Sequence, residues 1–436
     1  MKVELDFTHD VNKRSFLVSA NDGITDFPIQ NLPLGVFSTA GKSPRLGVAI
    51  GDQIFDLKVA SQLDLLPQGI PKEAFHGDSL NALFALGQGA LRNLRGRLSE
   101  LLDSGSSSQV VRDKSDELLV SASSALMHRP TAIANYTDFY AGIYHARAAG
   151  ALLTPENPLP ENYKWVPIAY HGRASSVHVG GTKVHRPKGQ QPPLAIGSPP
   201  SFGPSDRLDF ELELGFYVCA GNIQGHPIPI SNASANIAGF SLLNDWSARD
   251  IQRWEMFPLG PFLSKSFATS VAPWVVTPDA LAPFRVPAMA RPEGDPTPLS
   301  YLRDEVDNSF GALNIDLQVK IATEKMRNEG DAPVEILTSN ARHLYWTPAQ
   351  MVAHHTINGC NLMPGDLIGS GTISGPADDE LGSMLELTGG GVKPVVLPNG
   401  ERRSFLLDGD EVTLRGRCER EGFVSIGFGT CSNLII

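Results

Sequence analysis

Apolar and acidic residues alternate one for one through Leu208, Asp209, Phe210, Glu211, Leu212, Glu213 and Leu214. Successive side chains of a strand point to opposite faces. Asp209, Glu211 and Glu213 therefore share one face, and Phe210, Leu212 and Leu214 the other. Three carboxylates in a row repel one another unless something positive sits among them. In isolation the pattern describes a solvated edge strand that blunts aggregation. The rest of the chain decides between that and the floor of a site.

Other periodicities place the neighbouring elements. Residues 46–56 read as a hairpin about Gly51-Asp52. Leu83, Leu86, Leu91, Leu94, Leu98 and Leu101 follow helical spacing with one slip and predict an amphipathic helix over 82–102. The Ser/Gly run 104–108 predicts a flexible break. Residues 135–146 are dense in polar aromatics; as a helix they would put Asp138 and His145, seven apart, on one face. Residues 154–167 and 189–203 are Pro-rich and predict loops. The apolar run 237–243 predicts a buried strand that delivers Asp245 at its end. Ser247 and Asp250 have capping-box spacing, and Arg249 and Gln252 would share a face of the helix that follows, which ends before Pro258. A tight loop over 259–269 presents Lys265 and Thr269. Residues 315–321 predict a strand and 347–357 a helix. The close reads as β through 366–370, 371–375, 384–387, 409–414 and 426–431.

Length changes the picture from one core to two. At 436 residues the chain predicts a small N-terminal domain over 1–130 and a larger domain over 131–436. The first part shows no chemistry and predicts a structural or dimer-supporting role. Gly 42 and Pro 33 favour a β-rich, loop-rich enzyme over a helical bundle. A net charge of −11 argues against nucleic-acid and anionic-membrane partners. No apolar run approaches the ~18 residues of a membrane span. Acids at Glu4 and Asp6 oppose a secretion signal. Cys219, Cys360, Cys418 and Cys431 lie far apart and predict buried thiols of a cytoplasmic protein.

Asp138, Glu211, Glu213 and Asp245 then stand out as oxygen donors with no cysteine or paired histidine beside them. Such a set suits a hard divalent cation, Ca²⁺, Mg²⁺ or Mn²⁺, rather than zinc. The spacing does not match a twelve-residue EF-hand loop. A lone His145 reads better as a satisfied histidine on a surface helix than as a catalytic one. His171 reads as structural, Arg173 as a structural clamp, and the adjacent His354 and His355 would face different ways on a helix.

Several runs resemble the fumarylacetoacetate hydrolase family. They are Asn135-Tyr-Thr-Asp-Phe-Tyr140 with His145, Tyr170-His-Gly-Arg-Ala-Ser-Ser176, Leu208 to Glu213, and Asn244-Asp-Trp-Ser-Ala-Arg-Asp-Ile-Gln252. Pro258 to Ser266, Ser370-Gly-Thr-Ile-Ser-Gly-Pro376 and Gly382-Ser-Met-Leu-Glu386 fit as well, in the expected order. The resemblance implies a mainly β (α+β) fold: an SH3-like N-terminal barrel and a mixed β-sandwich roll catalytic domain, as a homodimer. It implies hydrolysis of a C–C bond in a small β-diketo acid to fumarate and acetoacetate. It also implies roles. Asp138, Glu211, Glu213 and Asp245 match metal ligands, and Lys265 and Thr269 match a second, Mg²⁺-type position sharing Asp245. His145 matches a general base and Glu386 its orienting carboxylate. Arg249, Gln252 and Lys265 match groups that stabilise negative charge, and Tyr140, Tyr170 and Thr372 match substrate contacts. Asp209 receives no ligand role.

Two positions depart from the family pattern. Thr154 stands where an arginine is expected to meet a substrate carboxylate, and Met256 where a tyrosine contact is expected. Arg147 and Lys164 are candidates to compensate. The nearest alternative is another β-diketone or acylpyruvate hydrolase, or a decarboxylase, of the same superfamily. A Ca²⁺-stabilised structural protein is a remoter one, with no use for His145, Arg249, Gln252 and Lys265 together.

Overall fold

Strand Leu212–Val218 lies fourth in a seven-stranded sheet of a computed structural model that describes residues 4–105 and 108–436. The sheet runs Ala169–Gly172, Tyr136–Phe139, Leu367–Gly369, Leu212–Val218, Ile237–Asp245, Thr269–Val271 and Val177–Val179. Neighbours are antiparallel except Leu367–Gly369 on Tyr136–Phe139 and Thr269–Val271 on Val177–Val179. A four-stranded antiparallel sheet, Val334–Asn340, Asp316–Ala322, Glu411–Cys418 and Ile426–Leu434, packs beside it. The N-terminal strands form a third, five-stranded antiparallel sheet centred on Arg45–Ile50. The sheets curl as half-barrels, and helix and strand each take 27% of the chain, so the architecture is mixed α+β.

The alternation along Leu212–Val218 serves two cores. Leu214, Phe216 and Val218 enter a cluster with Phe240, Leu242 and Ile368. Tyr217 turns the other way, with Leu243 and Leu367, into a cluster that holds Val48, Phe55, Leu83 and Phe84 of the N-terminal part. Both faces are buried, which removes the solvated-edge reading. Burial of apolar area on both sides, at ~25 cal/mol/Å², anchors this strand beneath the site.

Several local expectations need correction. Residues 135–146 are not one helix. Tyr136–Phe139 is a strand buried between two others, and a helix, Ile143–Leu153, starts only after Gly142. Sheet pairing outweighs the weak helical pattern there. The 82–102 helix breaks into Asn81–Phe84 and Gly87–Leu101, and the slip in the leucine spacing marks the break. Ser247 is no helix cap: it lies in strand Ser247–Ala248, and Asp250 accepts from Ser205 and the Asp206 amide instead. The 189–203 loop is a hairpin, Lys188–Gln191 with Ser201–Pro204. Residues 384–387 are a short helix, not β, and 371–375 form no strand, although the Ile373 amide donates to the Leu212 carbonyl at 2.8 Å. Cys360 is half-buried, unlike the other three buried thiols. The Ser106-Ser107 part of the expected flexible break lies outside the described residues. The 46–56 hairpin and the Thr347-capped helix Pro348–Thr356 form as the spacing predicts.

Candidate active site

The sheet brings three carboxylates to one place. Asp138 comes from Tyr136–Phe139, Glu213 from Leu212–Val218 and Asp245 from the end of Ile237–Asp245. Each offers an oxygen, and these oxygens lie within 4.8 Å of one another. The strand between Asp138 and Glu213 is Leu367–Gly369, and it presents Gly369 at that level. A Cβ on Gly369 would lie 2.3 Å from Asp138 Oδ1 and 3.1 Å from Glu213 Oε2. The missing side chain is what lets the two acids converge.

The donor set fits a hard divalent ion. Asp138 Oδ1 and Glu213 Oε1 are buried and have no hydrogen-bond partner. A buried, unpartnered carboxylate oxygen is costly, and a cation relieves that cost. The remaining oxygens are fixed. Tyr136 donates to Asp138 Oδ2 at 3.0 Å, Tyr170 to Asp245 Oδ2 at 2.8 Å, and the Gly371 amide to Glu213 Oε2 at 2.9 Å. Burial first, then the neighbouring carboxylates, pushes Asp138 and Glu213 well above the usual carboxylate range.

Glu211 stands apart from this trio. It sits in a break between strands, where its amide meets Asn244 Oδ1. Its oxygens meet Arg249 Nη1 at 2.8 Å and Lys265 Nζ at 2.5 Å. Burial would raise its pKa, but Lys265 and Arg249 overcome that and hold it well below the usual range. Lys265 Nζ also reaches Asp245 Oδ2 at 2.6 Å. Burial would lower the lysine's pKa, and the two carboxylates overturn that, so it stays an ammonium. Thr269 donates to Asp245 Oδ1 at 3.2 Å.

His145 reaches the same centre from the first turns of Ile143–Leu153. Its Nδ1 lies 2.7 Å from Glu386 Oε2, and its Nε2 lies 3.8 Å from Glu211 Oε1. Ser374 and Ser383 each donate to Glu386 at 2.8 Å. Burial opposes ionisation of Glu386, yet His145 and the two hydroxyls keep its pKa below the ordinary value. A carboxylate on Nδ1 fixes the imidazole with Nε2 as the free acceptor.

The other expected residues distribute around this centre. Arg249 Nη1 donates to Gln252 Oε1 at 3.0 Å, as their spacing predicts. Arg249 Nη2 is buried and unpartnered. The Tyr140 ring meets the His145 ring edge-on at 5.8 Å. Thr372 is buried on the loop after Gly371, whose φ of +78° no bulkier residue adopts easily. Thr154 is exposed, and its hydroxyl turns inward to the carbonyls of Gly150 and Asn157. Met256 caps the helix Arg249–Glu255 and contacts none of the carboxylates through a hydrogen bond. Lys164 is paired with Asp295, and Arg147 is exposed. His354 and His355 part as expected, to Tyr301 and Thr137. Gly369, Tyr136, Ser374 and Ser383 were not legible as site residues. Only Ser383 carried a signal, its capping-box spacing to Glu386.

Comparison with known proteins agrees with this geometry. A family model described as "Fumarylacetoacetase N-terminal" matches residues 30–130, and one described as "Fumarylacetoacetate (FAA) hydrolase C-terminal" matches residues 134–436. The chain is 48% identical to a fumarylacetoacetase of Rattus norvegicus over 427 residues, 97% of this chain and 98% of that one. It is 48% identical to that of Homo sapiens, again over 97% and 98%, and 49% identical to that of Caenorhabditis elegans over 94% and 97%. The chain belongs to the fumarylacetoacetate hydrolase family.

Proposed function

We propose that this protein hydrolyses the carbon–carbon bond of fumarylacetoacetate to fumarate and acetoacetate, closing tyrosine and phenylalanine breakdown. The observation that carries the reading is the His145–Glu386 pair, 2.7 Å apart, with His145 Nε2 3.8 Å from Glu211, which shares Lys265 with Asp245 of the carboxylate cluster. Hydrolysing a C–C bond requires a leaving carbanion, and a β-diketone supplies one as an enolate. A divalent cation held by Asp138, Glu213 and Asp245, with Glu211, would polarise the diketone oxygens and favour that enolate. Ca²⁺ or Mg²⁺, or else Mn²⁺, suits the all-oxygen set. Lys265 and Thr269, both on Asp245, border a second, Mg²⁺-type position.

The chain's own groups supply the rest. His145 Nε2 takes a proton from water, and ionised Glu386 stabilises the imidazolium. The attacked carbonyl becomes an oxyanion. Arg249 Nη2, buried without a partner, and the amide nitrogen of Gln252, whose oxygen accepts from Arg249, would donate to it. The oxyanion collapses as the C–C bond breaks; Lys265, held as an ammonium, gives a proton to the departing carbon and regains one from solvent, while His145 releases to solvent the proton it took from water. Tyr140, Tyr170 and Thr372 line the substrate. Lys164 is already paired, so exposed Arg147 is the cation left to meet the distal carboxylate in place of Thr154.

A homodimer is supported by one exposed apolar loop: Phe257, Leu259 and Phe262 are 88%, 97% and 69% exposed. A cytoplasmic site of action is supported by four free thiols, three of them buried. No helix among the described residues is long and apolar enough to cross a membrane. The test follows loss of fumarylacetoacetate absorbance with purified protein. Turnover with added Ca²⁺ or Mg²⁺, abolished by chelator, is expected. No turnover with either ion would overturn the reading.

A further inference from the structure

One acid of the alternating strand has no part in the scheme above. Asp209 is fully buried, and four donors surround it. Its Oδ1 accepts from the amides of Met384, at 2.7 Å, and Phe210, at 2.8 Å. Its Oδ2 accepts from Arg249 Nε, at 2.8 Å, and the Leu385 amide, at 3.0 Å. Met384 and Leu385 begin the helix Met384–Leu387, which carries Glu386. One turn of helix does not hold itself in place. Its position depends on what its first amides bind, and they bind Asp209. The same carboxylate grips the guanidinium of Arg249, which opens the helix Arg249–Glu255 directly after strand Ser247–Ala248, and that strand pairs with Leu208–Asp209.

We infer that Asp209 is a positioning residue that fixes the general base's carboxylate and the oxyanion donor relative to each other. Its Oδ1 holds the Met384 amide, and its Oδ2 holds both the Leu385 amide and Arg249 Nε, so contacts run from one carboxylate to Glu386 and His145 and to Arg249. A residue reached only by buried donors cannot touch substrate, so its effect passes through those two partners. A purely structural ion pair would lower stability when broken. It would leave the geometry of the dyad in the folded protein unchanged. The inference rests on the hydrolase reading for its kinetic consequence, but not for its spectroscopic one.

The first variant is Asp209→Asn. Its amide must turn a donor either toward Arg249 Nε and the Leu385 amide or toward the Met384 and Phe210 amides, so two contacts are lost. Turnover should fall about 10²-fold with KM changed less than about threefold, the pattern of lost transition-state contacts. The downfield proton resonance of the His145–Glu386 hydrogen bond should shift or vanish. The second comparison leaves Asp209 in place. Met384→Pro removes the amide that bonds Oδ1, at a first helical position that accepts proline. Met384→Ala leaves the same room but keeps the amide. Turnover of the proline variant should be about tenfold or more below that of the alanine variant. Equal turnover in that pair, or in folded Asp209→Asn an unmoved dyad resonance, would overturn the inference. If Asp209→Asn does not fold, the Met384 pair decides alone. A wild-type protein without turnover would sink the hydrolase reading instead, and the resonance would still judge Asp209.

Discussion

Gly369 faces Asp138 across one rung of parallel sheet, and a single methyl group there would lie 2.3 Å from the carboxylate oxygen that has no hydrogen-bond partner. The same methyl would crowd Glu213 at 3.1 Å. Neither acid has room to retreat, because both are buried: Asp138 is anchored through its other oxygen by Tyr136, and the crowded Glu213 Oε2 is itself held by the Gly371 amide. Gly369→Ala should therefore weaken divalent-ion affinity at least about tenfold and cut turnover in step, with a stability loss of ~1–3 kcal/mol from overpacking. Titration calorimetry with Mg²⁺ or Ca²⁺ checks it; wild-type affinity in the variant would show that these oxygens do not bind the ion.

Glu386 controls which nitrogen of His145 is free. In Glu386→Gln a neutral amide replaces the carboxylate at Nδ1, so the ring loses the charge that stabilises the imidazolium formed when Nε2 takes a proton from water. Turnover should drop about 10²–10⁴-fold, as should His145→Ala, with unchanged circular dichroism. A combined variant no slower than the worse single one is the signature of groups acting as a unit. Full additivity of the two losses would separate them.

How far the sequence carried the site depended on the range of each cause. The acids of residues 208–214 were legible because period-two alternation is local, and Arg249 with Gln252 because i, i+3 spacing is local. The supposed Asp138–His145 helix failed for the opposite reason. Tyr136–Phe139 is a strand because Ala169–Gly172 and Leu367–Gly369 flank it, and neither partner is near in sequence. The contacts of Gly369 and Asp209 were invisible for the same reason. Gly369 matters for what lies on two other strands, and Asp209 for a helix that starts 175 residues later. The solvated-edge alternative fell only when both strand faces proved covered, a fact of packing rather than of pattern.

The clustered carboxylates make stability depend on the ion. Asp138, Glu213 and Asp245 crowd together with two unpartnered oxygens and Lys265 as the adjacent cation. An ion that binds only the folded state stabilises it by ~2.7 kcal/mol at a hundredfold excess over Kd. Chelator should lower the melting temperature, and excess Mg²⁺ or Ca²⁺ should restore it. Asp138→Asn should blunt that response. A melting temperature indifferent to chelator and to added ion would remove the cation from this cluster.

Asp307, remote from the site, predicts how stability responds to pH. Burial first, then the charge of Asp304, raises its pKa from 3.8 to about 6, although Thr347 donates to it at 2.7 Å and opposes the rise. Because the folded-state pKa is raised, the folded chain holds this proton more tightly than the unfolded one between those two values. Stability contributed by Asp307 therefore falls as pH climbs from about 4 to about 6, and stays low above that. The full shift corresponds to at most ~3 kcal/mol. Asp307→Asn keeps an acceptor for Thr347 and removes the buried charge. It gives up a favourable acid in the first turn of Glu305–Phe310, worth ~0.3–1 kcal/mol. The net expectation at pH 7 is a gain of ~1–2 kcal/mol. Urea midpoints measured from pH 4 to 8 check both parts. The variant should show a shallower decline than wild type up to about pH 6 and a constant advantage above it. Parallel curves would mean that Asp307 ionises as an ordinary surface carboxylate.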